Sequence, residues 1–369
     1  MDKLLRNLLM DRKFFIYGAG IVAMSTYTAI KHLYQRMPVS FLVSSMEGNP
    51  CEIDGVSVCA FDEIDEKDKE KLYIIATPEA HHNAIAEMLC ARGGAESQLI
   101  FIDNKMENRL MEAYFRSRKE FTTVAECLTD DSQKADIKGG GEIKVFQAKC
   151  HVDKPLQSQV ETASYVCPIQ VGTSLTEQKI VSLLDNQGEN ISYKNRNYCE
   201  LTASYWAWKN SDATYKGLCH YRRIFDLTDE QIKQVLGYAE VDVILPYPSI
   251  YYPNMDAEHS RYVKTSDWDA MLQALCEVAP EYYKAYVSTI SQEPYFYNYN
   301  MLIARREVFD DYCRFLFSVL ERTEELASPK GVERADRFAG YLGENLTTIY
   351  FRKNKDKWKI AHTGKLWLV

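Results

Sequence analysis

Between residues 13 and 103, short apolar runs alternate with stretches of helical period, and no other feature of the chain constrains its fold more. Lys13-Phe14-Phe15-Ile16-Tyr17 reads as a strand and passes through Gly18-Ala19-Gly20 into a helical stretch ending near Leu33. Val39 to Val43, Leu72 to Pro78 and Leu99 to Asp103 read as further strands, with a helix over about His81 to Ala91 that Gly93-Gly94 stops. Strands separated by a helix cannot pair through a tight turn. They need a crossover, and the crossover yields a parallel sheet covered by helices. The expected fold class is α/β.

The run from Thr129 to Gly141 is polar and ends in three glycines, so it is read as a linker over 129–141. It separates a first domain, 1–128, from a second, 142–369, in keeping with the length of 369 residues. The second domain also mixes strands (Ile143 to Ala148, Tyr215 to Tyr221, Val241 to Pro246) with helices (Tyr198 to Lys209, Asp267 to Val278, Phe309 to Leu326). A net charge of −8, from 44 Lys and Arg against 52 Asp and Glu, gives no support for nucleic-acid binding. No apolar run reaches the roughly 18 residues of a membrane-spanning helix. The start, Met1 to Arg6, lacks a secretory leader's apolar run. The expectation is a cytoplasmic protein, compatible with homo-oligomer formation and with peripheral contact at the inner face of the membrane through the basic, aromatic stretch Trp358 to Trp367. The ten cysteines contain no Cys-x-x-Cys pair, which argues for free thiols rather than a zinc ribbon.

Gly18-x-Gly20-x-x-Ala23 stands where a strand opens into a helix, the context of a dinucleotide-binding turn, and makes Gly18, Gly20 and Ala23 candidate nucleotide-binding residues of a Rossmann-like domain. The end of the next strand, Ser44-Ser45, offers no acid for a ribose, which disfavours NAD(P). A bound nucleotide or nucleotide-sugar and a turn kept for packing both remain open. Phe15 to Gly20, Asp54-Gly55-Val56-Ser57-Val58 and Ala76-Thr77-Pro78-Glu79-Ala80-His81-His82 resemble the N-terminal domain of bacterial sugar O-acyltransferases, over about residues 10–105. No hexapeptide repeat follows, so acyl transfer is not carried over.

In the second domain, Gly217-Leu218-Cys219-His220-Tyr221-Arg222-Arg223 delivers two adjacent guanidinium groups at a strand end. Such planar forks suit phosphate, and ligands of open α/β sheets gather at strand ends. His220, Tyr221, Arg222 and Arg223 are therefore candidate donor-binding residues, with Asp185, Asn190 and Lys194 from the run Asp185 to Asn195. The alternative is a structural ion pair, with Glu200 as partner of Arg222 or Arg223. Tyr297, Asn298 and Asn300 can stack on and hydrogen-bond a sugar, and are candidate acceptor-binding residues unless they form a packed turn. Glu344, in Gly340-Tyr341-Leu342-Gly343-Glu344-Asn345, and Asp336 are the candidate catalytic carboxylates.

Cys199-Glu200-Leu201-Thr202-Ala203, Tyr205-Trp206-Ala207-Trp208-Lys209-Asn210, Gly217 to Arg223, Tyr165 to Gly172, Tyr297 to Met301 and Phe338 to Leu346 together resemble a family of bacterial capsule and exopolysaccharide glycosyltransferases, members of which are linked to galactofuranose transfer. The resemblance spans about 142–369. It implies a GT-A-like domain, a UDP-sugar donor and a glycan or glycolipid acceptor, with inverting transfer as the reading here. The Asp-x-Asp of common GT-A enzymes is absent at the strand end, where cationic side chains stand instead, so metal-independent transfer is favoured and no metal ligand is assigned. Asp242 and His362-Thr363-Gly364 keep Mn2+ or Mg2+ open. The competing readings are an NAD(P)-dependent or nucleotide-sugar-modifying enzyme centred on the Gly18 turn, and a non-catalytic scaffold.

Overall fold

A computed structural model describes residues 7–10, 12–64, 71–129, 141–156, 161–237, 241–259, 262–330, 334 and 336–368. The chain forms two compact α/β units. Met1–Lys119 with Ser249–Asn254 make the first, and Glu120–Pro248 with Met255–Val369 make the second.

The first unit holds a six-stranded sheet in the order Glu52–Ile53, Val56–Ala60, Phe41–Val43, Phe14–Tyr17, Leu72–Ile75, Leu99–Phe101. All neighbours run parallel except the opening hairpin, which turns at Asp54-Gly55 with both residues at positive φ. The central strands are buried on both faces, as parallel strands between helix layers must be. Gly18 has φ +120°, and a Cβ there would stand 2.7 Å from the Ala76 carbonyl oxygen. Only glycine fits that junction. A helix over Asn104–Ser117 has no counterpart in the sequence reading. Asp103, read as a strand end, is its N-cap and accepts a hydrogen bond from the Met106 amide at 2.7 Å.

The second unit is built on a mixed nine-stranded sheet. Its central strand, Tyr215–His220, is buried along its whole length. Ile143–Lys149 pairs with it in parallel and Leu302–Arg305 antiparallel. Beyond Leu302–Arg305 lie Val243–Pro246, Ile360–Thr363 and Thr122–Thr123. The strand Thr122–Thr123 and the helix Val124–Thr129, placed by the sequence reading in the first domain up to residue 128 and in the linker at Thr129, belong to the second unit's sheet and its cover. Most of the expected linker, 130–140, lies outside the described residues. Ile360–Thr363 is an internal strand, so the stretch Trp358 to Trp367 is no continuous outward face for a membrane. Among the described residues, no helix is long and apolar enough to cross a membrane.

Candidate active site

The site grows from the end of the central strand. After His220 the chain turns through Tyr221-Arg222 and returns as Arg223–Phe225, with His220 paired to Arg223. Gln147 Nε2 donates to the carbonyls of His220 and Tyr221, both at 3.2 Å, and fixes the turn. On its other side Arg223 pairs with Trp367 of the strand Lys365–Trp367. That register lays its guanidinium 4.0 Å from the Trp367 ring centre and 4.2 Å from that of Tyr299. Two aromatic rings thus attract and confine the cation.

The Nε atoms of Arg222 and Arg223 are buried without a hydrogen-bond partner, and among the described residues neither arginine lies within ion-pair distance of a carboxylate. An unmet buried donor costs about 1–3 kcal/mol. Burial pulls the Arg223 pKa down, with Arg222 adding to the effect. The expected ion pair with Glu200 is therefore not made. Glu200 instead accepts from Asn300 Nδ2 at 2.8 Å and lies 3.7 Å from both His220 Nε2 and an Arg337 nitrogen. His220 Nε2 donates to the Tyr299 carbonyl at 2.6 Å, and burial lowers its pKa, so the ring is neutral near pH 7.

A second wall comes from the helix Phe338–Lys353. Gly340 gives its carbonyl to Asn300 Nδ2, and a Cβ on Gly343 would stand 2.6 Å from Leu201 Cδ1. Gly343 lets the helix that carries Glu344 approach Leu201 closely. Desolvation, followed by the charge of Glu200, pushes the Glu344 carboxyl up to about 8, against the pull of the Tyr299 backbone, Arg223 and Arg337. Cys199, Tyr299 and Asn300 all have positive φ, a conformation that non-glycine residues hold only where the surroundings enforce it. Arg337 Nε donates to Cys199 Sγ at 3.0 Å. Burial pushes that thiol up to about 12, which rules it out as a thiolate nucleophile at neutral pH.

Several predicted residues fall elsewhere. Asp185 is fully buried and accepts from the Gly172 and Thr173 amides and from the hydroxyls of Thr173, Ser192 and Thr202, at 2.5–3.1 Å. Its oxygens are spent on fastening three loops, so it does not bind donor. Asn190 closes a local turn through Gly188 and Ser192, and Lys194 pairs with Glu324 at 2.5 Å. Tyr297 is buried, with its hydroxyl 2.8 Å from His362 Nε2, which makes it core rather than acceptor-binding. Asn298 and Asn300 are buried too, and Asn300 acts by holding Glu200. Asp336 is gripped by Arg334 at 2.7–3.1 Å and approached by Lys264. Burial alone would raise its carboxyl, but these cations hold it below the usual range, so it is no base.

Asp242 pairs with Arg305 and accepts the Lys359 amide, while His362 Nδ1 meets the Thr122 carbonyl, so neither is presented to a metal. Burial lowers His362 to about 4. The described residues hold no group of three or more His, Cys, Asp or Glu able to bind a metal ion. In the first unit Gly18 serves packing beside Ala23, while Gly20 caps the helix Ile21–Tyr34 with open space at its Cβ position. Ser44 at the next strand end hydrogen-bonds the Tyr17 hydroxyl at 2.7 Å.

Sequence reasoning missed Arg337, Tyr299, Trp367 and Asp153. Asp153 accepts the Cys150 amide at 2.7 Å. Burial raises its carboxyl, while Arg222 and Arg337 pull it down. Signals were available for three of them: Arg337 stands directly ahead of the Phe338 to Leu346 motif, Tyr299 lies inside the Tyr297 to Met301 motif, and Trp367 ends the basic, aromatic stretch.

Residues 150–355, more than half of the chain, match the family described as domain of unknown function DUF4422, and the chain belongs to that family. A solved structure, that of the bifunctional glycosyltransferase WbbM in its apo form, is similar with 25% sequence identity and a TM-score of 0.53. The match covers 62% of this chain and 45% of that one, so this chain accounts for less than half of its length. No curated protein matches.

Proposed function

We propose that the second unit of this DUF4422 chain is a glycosyltransferase that moves a sugar from a nucleotide-activated donor to an acceptor hydroxyl. The observation that carries the reading is a pair of adjacent arginines whose buried Nε atoms have no partner, one of them, Arg223, in electrostatic reach of a carboxyl pushed up to about 8. In transfer, the acceptor oxygen forms a bond to the anomeric carbon while the bond from that carbon to the diphosphate breaks. Glu344, once ionised, takes the acceptor proton. Arg223 and Arg222 neutralise the charge that gathers on the departing diphosphate, as a metal ion does in other transferases. Asn300 keeps Glu200 in place, and the Glu200 charge keeps the Glu344 carboxyl basic.

Our finer reading is a UDP-sugar donor, galactofuranose as the transferred group, inversion at the anomeric carbon, and a lipid-linked or polysaccharide acceptor in capsule or exopolysaccharide assembly. It rests on the sequence motifs of 142–369. The first unit is read as a nucleotide-binding or scaffolding module. The test is Arg223→Ala, with UDP affinity and turnover of UDP-galactofuranose measured with and without manganese. Loss of about 10²-fold or more in turnover, with weakened UDP binding, is expected. Unchanged donor binding and turnover would remove Arg223 from the mechanism.

A further inference from the structure

We propose that Tyr262 and Tyr341 form the acceptor platform of this site, an aromatic stack that takes a neutral sugar ring of the glycan acceptor beside Glu344. The proposal rests on the glycosyl-transfer reading and names the part of the substrate that reading leaves open. Tyr341 precedes Glu344 by three residues on the helix Phe338–Lys353, so the two side chains share a face. The Arg337 guanidinium lies 5.7 Å from the Tyr341 ring centre. Tyr262 stacks on Tyr341 with ring centres 5.8 Å apart and planes 28° from parallel. It nevertheless stays 51% exposed, so the stack leaves aromatic surface open to solvent.

The stack is braced from below. Arg334 donates to both oxygens of Asp267 at 2.7 and 2.6 Å and also grips Asp336, which Lys264 approaches at 3.4 Å. These ion pairs tie the segment carrying Tyr262 and the start of the helix Thr265–Val278 to the start of the helix carrying Tyr341. That is the work Asp336 does in place of catalysis. A braced, exposed aromatic face with a phenol edge suits the C–H face of a sugar, whose hydroxyls then project past the ring toward the neighbouring carboxyl. The nucleobase of a donor is a weaker fit. It lies across the diphosphate from the reacting carbon, whereas the group next to a general base is the acceptor hydroxyl.

The test compares Tyr262→Ala and Tyr262→Phe in the full chain. Tyr262 is an exposed turn residue, and the phenylalanine variant keeps the stack. The expected result for the alanine variant is an acceptor KM raised about tenfold or more, with UDP affinity within about twofold of the parent, and phenylalanine restoring the acceptor KM. An unchanged acceptor KM, or a loss of UDP affinity in its place, overturns the platform. If the parent protein turns over no nucleotide sugar, the transfer reading itself fails. Saturation transfer to methyl β-D-galactopyranoside then decides the platform separately: a signal lost in the alanine variant and kept in phenylalanine supports it, and equal signals in all three proteins overturn it.

Discussion

Glu344→Gln is expected to stabilise the fold at alkaline pH while removing turnover. The carboxyl is pushed from its ordinary value of 4.5 up to about 8 in the folded protein, by burial first and by the Glu200 charge second. Below pH 4.5 both folded and unfolded chains keep the proton, and the residue is neutral to stability. As pH rises further, the unfolded chain releases the proton and the folded chain holds it, so stability falls until about pH 8 and is level beyond. At ~1.4 kcal/mol per unit, that gap sets a ceiling of about 5 kcal/mol. Glu344 is half-buried, and solvent screening brings the expected loss to on the order of 2–3 kcal/mol. Glutamine has nearly the same shape and no proton to lose, so its stability does not carry this slope. Urea unfolding of the two proteins at about pH 5, 7 and 9 reads the difference, which is expected to grow from near zero to about 2–3 kcal/mol in favour of the variant. Turnover is expected to fall about 10²–10⁴-fold with the base gone. A stability difference that stays constant across this range would refute the buried, proton-holding carboxyl, and with it the choice of Glu344 as base.

Glu200→Gln keeps an acceptor for Asn300 but removes the charge that raises Glu344. The rise of kcat/KM with pH is then expected to move to lower pH, and a pH-rate profile that does not move breaks the coupling of the two carboxyls. Gly343→Ala places a Cβ 2.6 Å from Leu201 Cδ1 and 3.1 Å from Asn300 Oδ1, in a region where Leu201 is fully buried. The overpacking is expected to cost about 1–3 kcal/mol, read as a lowered melting temperature. An unchanged melt would mean that the helix does not need this glycine to reach the Asn300 turn.

Four of the six strands of the first unit were readable because each is a short apolar run, while the hairpin strands Glu52–Ile53 and Val56–Ala60 were not read. Phe14–Tyr17, Phe41–Val43, Leu72–Ile75 and Leu99–Phe101 all fall within the runs read from sequence. The end of the Tyr215–His220 strand was readable in the same way, as a buried run that delivers two adjacent arginines. The rest of the site depends on register, which no single segment encodes. Trp367 read as part of an outward basic-aromatic stretch, yet its pairing opposite Arg223 makes it one half of the cradle. A shift of one residue in that ladder would turn the guanidinium to the other face of the sheet. Asp336 and Glu344 are both candidate carboxylates in the sequence, with Glu344 favoured for its place in the Gly340 to Asn345 motif. What separates them is three-dimensional: Arg334 and Lys264 keep Asp336 ionised, while burial beside Glu200 keeps Glu344 protonated. The difference in their proton affinity is thus written in tertiary contacts from residues 200, 264, 299 and 334.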